Sequence, residues 1–142
     1  MKVRDIMTSD VMVATTTTPI NQIAKSMKDL NVGVMPIIDN NQHPVGIVTD
    51  RDLVIRGMVS NINTSDTVEK VMSKHVISVT PDMHVHEAAR IMGENQIRRL
   101  PVVENGKMVG MVSIGDLAVH GIYENEAGSA LSQISTPSRP MM

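Results

Sequence analysis

Two stretches decide how this chain folds: Val45-Gly46-Ile47-Val48-Thr49-Asp50-Arg51-Asp52-Leu53 and Val109-Gly110-Met111-Val112-Ser113-Ile114-Gly115-Asp116-Leu117. In each, an apolar run with an embedded glycine ends at a hydroxyl residue, and an aspartate follows three positions later. The two stand 64 residues apart, and Gly57 falls on Gly121 in the same register. Upstream the match continues at an offset of 65: Val3 with Val68, Met7 with Met72, Val11 with Val76, Thr15 with Thr80, Ala24 with Ala89, Met27 with Met92, Pro36 with Pro101, Asn40 with Asn105. One residue less in the second copy's turn accounts for the change of offset. A register kept across most of the chain is an internal duplication.

Each copy reads as the same series of elements. Residues 11–14 and 76–79 are short apolar runs ending at threonine, which predicts strands. From Pro19 the residues Ile20, Ile23, Ala24, Met27 and Leu30 recur at spacings of three and four, and from Pro81 Val85, Ala88, Ala89 and Met92 do the same. That spacing places them on one buried helix face, and proline in the first turn fits a helix start. Residues 34–38 and 100–103 are apolar runs that each carry a proline, so this strand is expected at a sheet edge or with a bulge. Residues 39–44 and 104–107 are turns, the second holding Asn105-Gly106, a strong hairpin signal. Strands over 45–49 and 108–113 lead directly into short helices expected to end near Gly57 and Gly121. Residues 68–72 and 3–7 read as short opening helices. The fold class is therefore α+β, two β-α-β-β-α repeats, with residues 1–62 as the first copy, 63–125 as the second and 126–142, rich in Ser, Gly and Pro, as a mobile tail. A unit of some 60 residues is marginal alone, so the two copies are expected to fold together.

Bulk properties narrow the function. The chain has 142 residues and a net charge of −2, which gives no general attraction to nucleic acid or an anionic membrane. No apolar run approaches the roughly 20 residues that cross a bilayer, and a cytoplasmic location is expected. No cysteine is present, which excludes disulfides and thiolate metal sites. Thirteen Met, one Tyr and no Phe or Trp mean an aliphatic, Met-rich core able to repack around a guest.

The repeated Met-Thr/Ser opening, the apolar-Pro-apolar strand and the paired Gly46–Asp52 and Gly110–Asp116 segments resemble a tandem pair of CBS domains, the module named after cystathionine β-synthase, over roughly Val3 to Tyr123. The resemblance implies two repeats packed about a pseudo-two-fold axis and usually dimeric. Clefts between the repeats commonly bind AMP, ADP, ATP or S-adenosylmethionine as regulatory ligands, with no resident cofactor.

The residues themselves carry a compatible reading. Thr49 and Ser113 sit where a strand becomes a helix, so their hydroxyls can cap the helix or donate to a ligand oxygen near free backbone N–H groups. Asp52 and Asp116, in the first helical turn, can accept from the two hydroxyls of a ribose. The same Thr/Ser-x-x-Asp spacing is also a capping box, and the two roles are compatible. Glycine at 46 and 110 lets the strand backbone approach another chain or a ligand. The family places basic residues at Arg98 and Arg99 toward phosphate; the first copy has Gly33 and Val34 there, while Arg51 faces Gly115 in the repeat comparison. The clefts are thus expected to be unequal, tighter where Thr49 and Asp52 are served by Arg98 or Arg99. In family terms Val13, Ala14, Val34, Met35, Pro36, Ser78, Val79, Leu100 and Pro101 would line the base pocket; as apolar residues, most also read simply as core.

His84 and His86 form a His-x-His whose side chains, two apart on a helix, are not expected to face each other. With His75 nearby and no cysteine, no metal site is expected. No nucleophile–base–orienter set, Walker loop or dinucleotide fingerprint occurs, so catalysis is not expected. The reading is a sensor for adenine nucleotide or S-adenosylmethionine, signalling to a partner. The alternative is a dimeric interaction module with degenerate clefts and no nucleotide binding. Val54, Met58, Val119 and Ile122 are the candidate homodimer face.

Overall fold

The computed structural model describes residues 1–120 and 124–136. A 3-10 turn, Val3–Asp5, opens the chain, followed by β1 (Ala14–Thr15), α1 (Ile20–Leu30), β2 (Val34–Ile38), β3 (Pro44–Thr49) and α2 (Asp50–Asp52), which continues as a π-helix, Leu53–Met58. A second 3-10 turn, Val68–Lys70, precedes α3 (Val85–Asn95), β4 (Arg99–Glu104), β5 (Lys107–Ser113), α4 (Ile114–Val119) and α5 (Glu124–Ser135). The class is α+β with two repeats, as the duplication predicts. Matched details extend to the helix ends: α1 stops at Asn31 (φ 54°) and α3 at Gln96 (φ 56°), both left-handed and 65 residues apart. The Asn105-Gly106 turn has φ of 53° and 80°, the paired positive values of a tight hairpin turn.

Contacts divide the chain into two units that do not coincide with the two sequence copies. Unit 1 contains residues 1–11, 77–104 and 109–142; unit 2 contains 12–76 and 105–108. The segment that opens each copy thus belongs to the unit built from the other copy's strands and helices. Val3 and Ile6 join Val85, Met92, Leu100 and Leu117 in the core of unit 1. Val68, Val71 and Met72 join Ile23, Met35, Ile37 and Val48 in the core of unit 2. A short antiparallel bridge fixes each segment. In unit 1 Thr8 N–H donates to the Met111 carbonyl (2.8 Å) and Met111 N–H to that of Thr8 (2.9 Å). In unit 2 Ser73 and Ile47 exchange the same pair (2.8 and 2.9 Å). The repeated glycines serve this approach: a Cβ at Gly110 would stand 2.8 Å from the Thr8 oxygen, and one at Gly46 3.0 Å from that of Ser73.

Several local expectations need correction. Strand pairing begins only at Ala14 in the first copy and shrinks to a single bridge, Val79 with Val102, in the second. Of the two alternatives for the proline strand, β2 takes the second: it is not an edge but lies between β1, which runs parallel to it, and β3, which runs antiparallel, and its register shifts between Ile37 and Ile38. The second copy shows why proline is tolerated. Pro101 accepts from Val79 N–H (3.0 Å) through its carbonyl, so its nitrogen faces the same side, before the short pairing begins. The first short helix ends at Met58, near Gly57 as expected, but Gly57 is not its cap. The turn is closed by Asn61 (φ 56°), whose N–H reaches the Met58 carbonyl (3.1 Å) while Ile62 N–H reaches that of Gly57 (3.0 Å). Pro19 is the residue just before α1, but its counterpart before α3 is His84, not Pro81. Gly121 and Ile122, expected at the end of the second short helix, lie outside the described residues.

The largest correction concerns the tail. Residues expected to be mobile from 126 onward form α5 as far as Ser135, with Ala127 and Ala130 buried on one stripe; residues 137–142 lie outside the described ones. Small side chains let two helices approach closely, and α3 answers with Gly93, where a Cβ would collide with Gln133 and meet the Ala130 backbone at 3.4 Å. Gln96 adds hydrogen bonds to the Gln133 and Thr136 carbonyls (3.1 and 2.6 Å). This explains a break in the repeat: Ala89 is buried, whereas its counterpart Ala24 on α1 is exposed, and Leu30 is also half open to solvent.

Gly110→Ala should lower stability by about 1–3 kcal/mol, because its Cβ meets a hydrogen-bonded backbone carbonyl rather than a movable side chain. Gly57→Ala, with its nearest neighbour at 3.8 Å, should instead stabilise by about 0.4–1 kcal/mol. Urea unfolding of both variants measures the contrast.

Candidate functional site

The site is built twice, at the corner where a strand turns into a helix. Thr49 ends β3 in an extended conformation (φ −115°, ψ 163°) and Ser113 ends β5 in nearly the same one (φ −125°, ψ 162°). In unit 2 Asp52 N–H donates to Thr49 Oγ1 (3.1 Å) and Thr49 N–H donates back to Asp52 Oδ2 (2.9 Å). In unit 1 Asp116 N–H donates to Ser113 Oγ (3.1 Å) and Ser113 N–H to Asp116 Oδ2 (2.8 Å). The capping box is therefore formed in both copies. It uses only one oxygen of each carboxylate.

The remaining oxygens differ. Asp52 Oδ1 faces Arg56 Nε at 3.8 Å. Asp116 Oδ1 makes no hydrogen bond or ion pair among the described residues. The residue in Arg56's place is His120, whose Nδ1 lies 2.7 Å from the Asp116 backbone carbonyl and so carries the proton there. Neither Arg56 nor His120 stood out in the sequence. Their signal was the four-residue step from each aspartate, which brings side chains together on a helix.

A second main-chain tie brings the proline strand to the same corner. Asp50 N–H donates to the Gly33 carbonyl (3.0 Å) and Ile114 N–H to that of Arg98 (2.9 Å). Gly33 leaves room for the Asp50 carboxylate, which a Cβ would meet at 3.0 Å. In unit 1 the same two positions carry Arg98 and Ile114, so that corner exchanges an acid for a base. Arg98, Arg99 and Arg51 are all exposed. Unit 1 thus offers two arginines, Arg98 and Arg99, without an ion pair among the described residues, whereas unit 2 sets Asp50 beside Arg51.

The other candidate residues fall into two groups. Met35, Val79 and Leu100 are core side chains, and Pro36 and Pro101 are buried too; they can offer a ligand only backbone groups. Val13, Ala14 and Val34 are half-buried and Ser78 is exposed. His84 and His86 do face each other, with stacked rings 4.6 Å apart. His84 lies outside the helix as its cap (φ −69°, ψ 143°), so the spacing rule for two helical residues does not govern it. Among the described residues no three of His, Cys, Asp or Glu come together as a metal cluster, and no helix is long and apolar enough to cross a membrane.

The chain is similar to known proteins over most of its length. The family model described as CBS domain matches residues 3–58 and 68–121. The Bacillus subtilis protein YlbB is 41% identical over 135 residues, covering 94% of this chain and 91% of that protein. The CBS domain pair of MJ0100, solved with 5′-methylthioadenosine and S-adenosyl-L-methionine, superposes with a TM-score of 0.74 at 27% identity, covering 89% of this chain and 98% of that one. CBSX2, solved in complex with AMP, gives a TM-score of 0.75 at 26% identity, with coverage of 87% and 98%.

Ser113→Ala removes the hydroxyl that accepts from Asp116 N–H and should cost about 1 kcal/mol of stability, whereas Ser113→Thr should keep it. Urea unfolding midpoints of the two variants distinguish the cap from simple side-chain loss.

Proposed function

We propose that this chain, which belongs to the CBS domain family, is a regulatory module that binds an adenosine ligand and passes the signal to a partner protein. Pairs of this family are generally regulatory modules rather than enzymes, and we read this one as non-catalytic and cytoplasmic. One observation carries the ligand reading. At both corners the aspartate holds its helix with Oδ2 and leaves Oδ1 without a backbone hydrogen bond among the described residues. A carboxylate oxygen fixed in this way is a ready acceptor for a ribose hydroxyl, since no side chain must be ordered to make the bond. The backbone of Val34–Pro36 and Arg99–Pro101, tied to the same corners, would read the base edge. Arg51, Arg98 and Arg99 would face phosphate. The complexes of MJ0100 with S-adenosyl-L-methionine and of CBSX2 with AMP support this ligand class.

The two sites are proposed to be unequal, because Arg56 faces Asp52 Oδ1 whereas Asp116 Oδ1 has no partner among the described residues. The chain is also proposed to act as a homodimer. Val54 and Ile55 are each 50% exposed and Met58 and Val59 more than 70%, four large apolar side chains on six consecutive residues. A contiguous exposed apolar patch of this kind is an association surface.

A thermal-shift screen with AMP, ADP, ATP and S-adenosylmethionine, at about 100-fold over Kd, should raise Tm by roughly 5–10 °C for the true ligand. Calorimetry on Asp52→Ala and Asp116→Ala should show unequal losses of affinity. A flat response to all four compounds would favour the interaction-module reading. For the dimer, light scattering should give twice the chain mass, and Met58→Asp should reduce it to one.

A further inference from the structure

Unit 2 contains a groove of about 770 Å³ that the adenosine reading does not use. Its walls carry Arg56, Lys70 and Lys74 together with His75 and the carboxylate Glu69; Arg56 faces Asp52 at 3.8 Å and Lys70 faces Asp66 at 3.4 Å, so Lys74 is the lysine of this wall without an ion pair among the described residues. Cations outnumber the carboxylate among the lining residues in a chain of net charge −2, and a local excess of one sign attracts an anion. Lys74 and His75 make no hydrogen bond or ion pair among the described residues. Arg56 is held differently: its Nη1 donates to the Met72 carbonyl (3.2 Å) and reaches toward that of Val71 (3.5 Å), while its Nε faces Asp52. Held by main-chain acceptors, the planar guanidinium is already ordered to offer its remaining N–H groups to a phosphate. The Ser73 hydroxyl adds a neutral donor at the same wall. The depression is wide and open to solvent, so it can admit a group larger than a simple anion.

We propose that this groove is a binding site for a di- or triphosphate group, and that Arg56 links its occupancy to the Asp52 carboxylate. A phosphate oxygen drawn to Arg56 weakens the 3.8 Å pair with Asp52 Oδ1 and releases that oxygen to accept from a ribose diol. The link rests on the reading of Asp52 as a diol acceptor; the anion site does not. Coupling of this kind is reciprocal, so the diol ligand would strengthen anion binding by the same factor.

The test uses the full chain and inorganic pyrophosphate, followed by calorimetry and by amide NMR shifts. Pyrophosphate should bind at low salt with shifts centred on Lys70, Ser73, Lys74 and His75, and Lys74→Glu, a surface change, should weaken it by about tenfold or more. Adenosine should bind more tightly in the presence of pyrophosphate, and Arg56→Met should abolish that gain. Adding ATP separates the two sources of such a group. One-for-one displacement of pyrophosphate identifies the nucleotide's own tail, and additive binding identifies a separate anion. Absence of pyrophosphate binding, shifts centred on Arg98 and Arg99, or unchanged affinity in Lys74→Glu would overturn the site. Adenosine binding that ignores pyrophosphate, or fails altogether while pyrophosphate still binds, would overturn the link and leave the anion site standing.

Discussion

The structure depends on a reciprocal hydrogen-bonded corner, made once by Thr49 with Asp52 and again by Ser113 with Asp116. A strand cannot pass into a helix without leaving the first helical N–H groups unpaired, and here side chains answer that demand in both directions. The corner also accepts the start of the proline strand through the Gly33 and Arg98 carbonyls. Strand end, helix start and neighbouring strand are thereby locked within a few residues of one carboxylate. Because capping uses one carboxylate oxygen, the same residue can hold the fold and still present an acceptor outward. Structural and ligand-binding readings of this aspartate are therefore not rivals.

Duplication sets up two such corners, and later substitutions make them different. Gly33 and Asp50 in one copy stand where Arg98 and Ile114 stand in the other, and Arg56 stands where the second has His120. A further asymmetry comes from α5, which packs on α3 through Ala127, Ala130 and Gly93. Nothing in the first copy matches α5, and Lys28 occupies the position of Gly93. The π-helix after Asp52, against the regular α4 after Asp116, belongs to the same divergence. Each unit keeps the plan of the repeat and alters the groups around its carboxylate.

Much of this was legible in the sequence, for identifiable reasons. The offset of matching residues located both copies, the buried stripes of α1 and α3, and the Asn105-Gly106 turn. The capping-box spacing was visible, and the structure forms it. What the sequence hid were features set by packing between distant segments. Gly46 and Gly110 read equally well as room for a ligand or for a chain, and only the bridges at Ser73 and Thr8 decide for the chain. The grouping of residues 1–11 with the second copy's elements leaves no local mark. Nor does α5, whose Ser- and Gly-containing composition looks mobile until a surface shaped for small residues is known. Gly57 marked the helix end to within one residue but not the cap, because the left-handed residue that closes the turn is Asn61.

The central claim is that the outward oxygen of the Asp52 or Asp116 carboxylate holds a vicinal diol. Calorimetry comparing AMP with its 2′-deoxy analogue tests it directly, since the two differ by a single hydroxyl. The account predicts a loss of about tenfold to a hundredfold for the deoxy compound, the value of one hydrogen bond to a charged acceptor. Equal affinity for the two would contradict it.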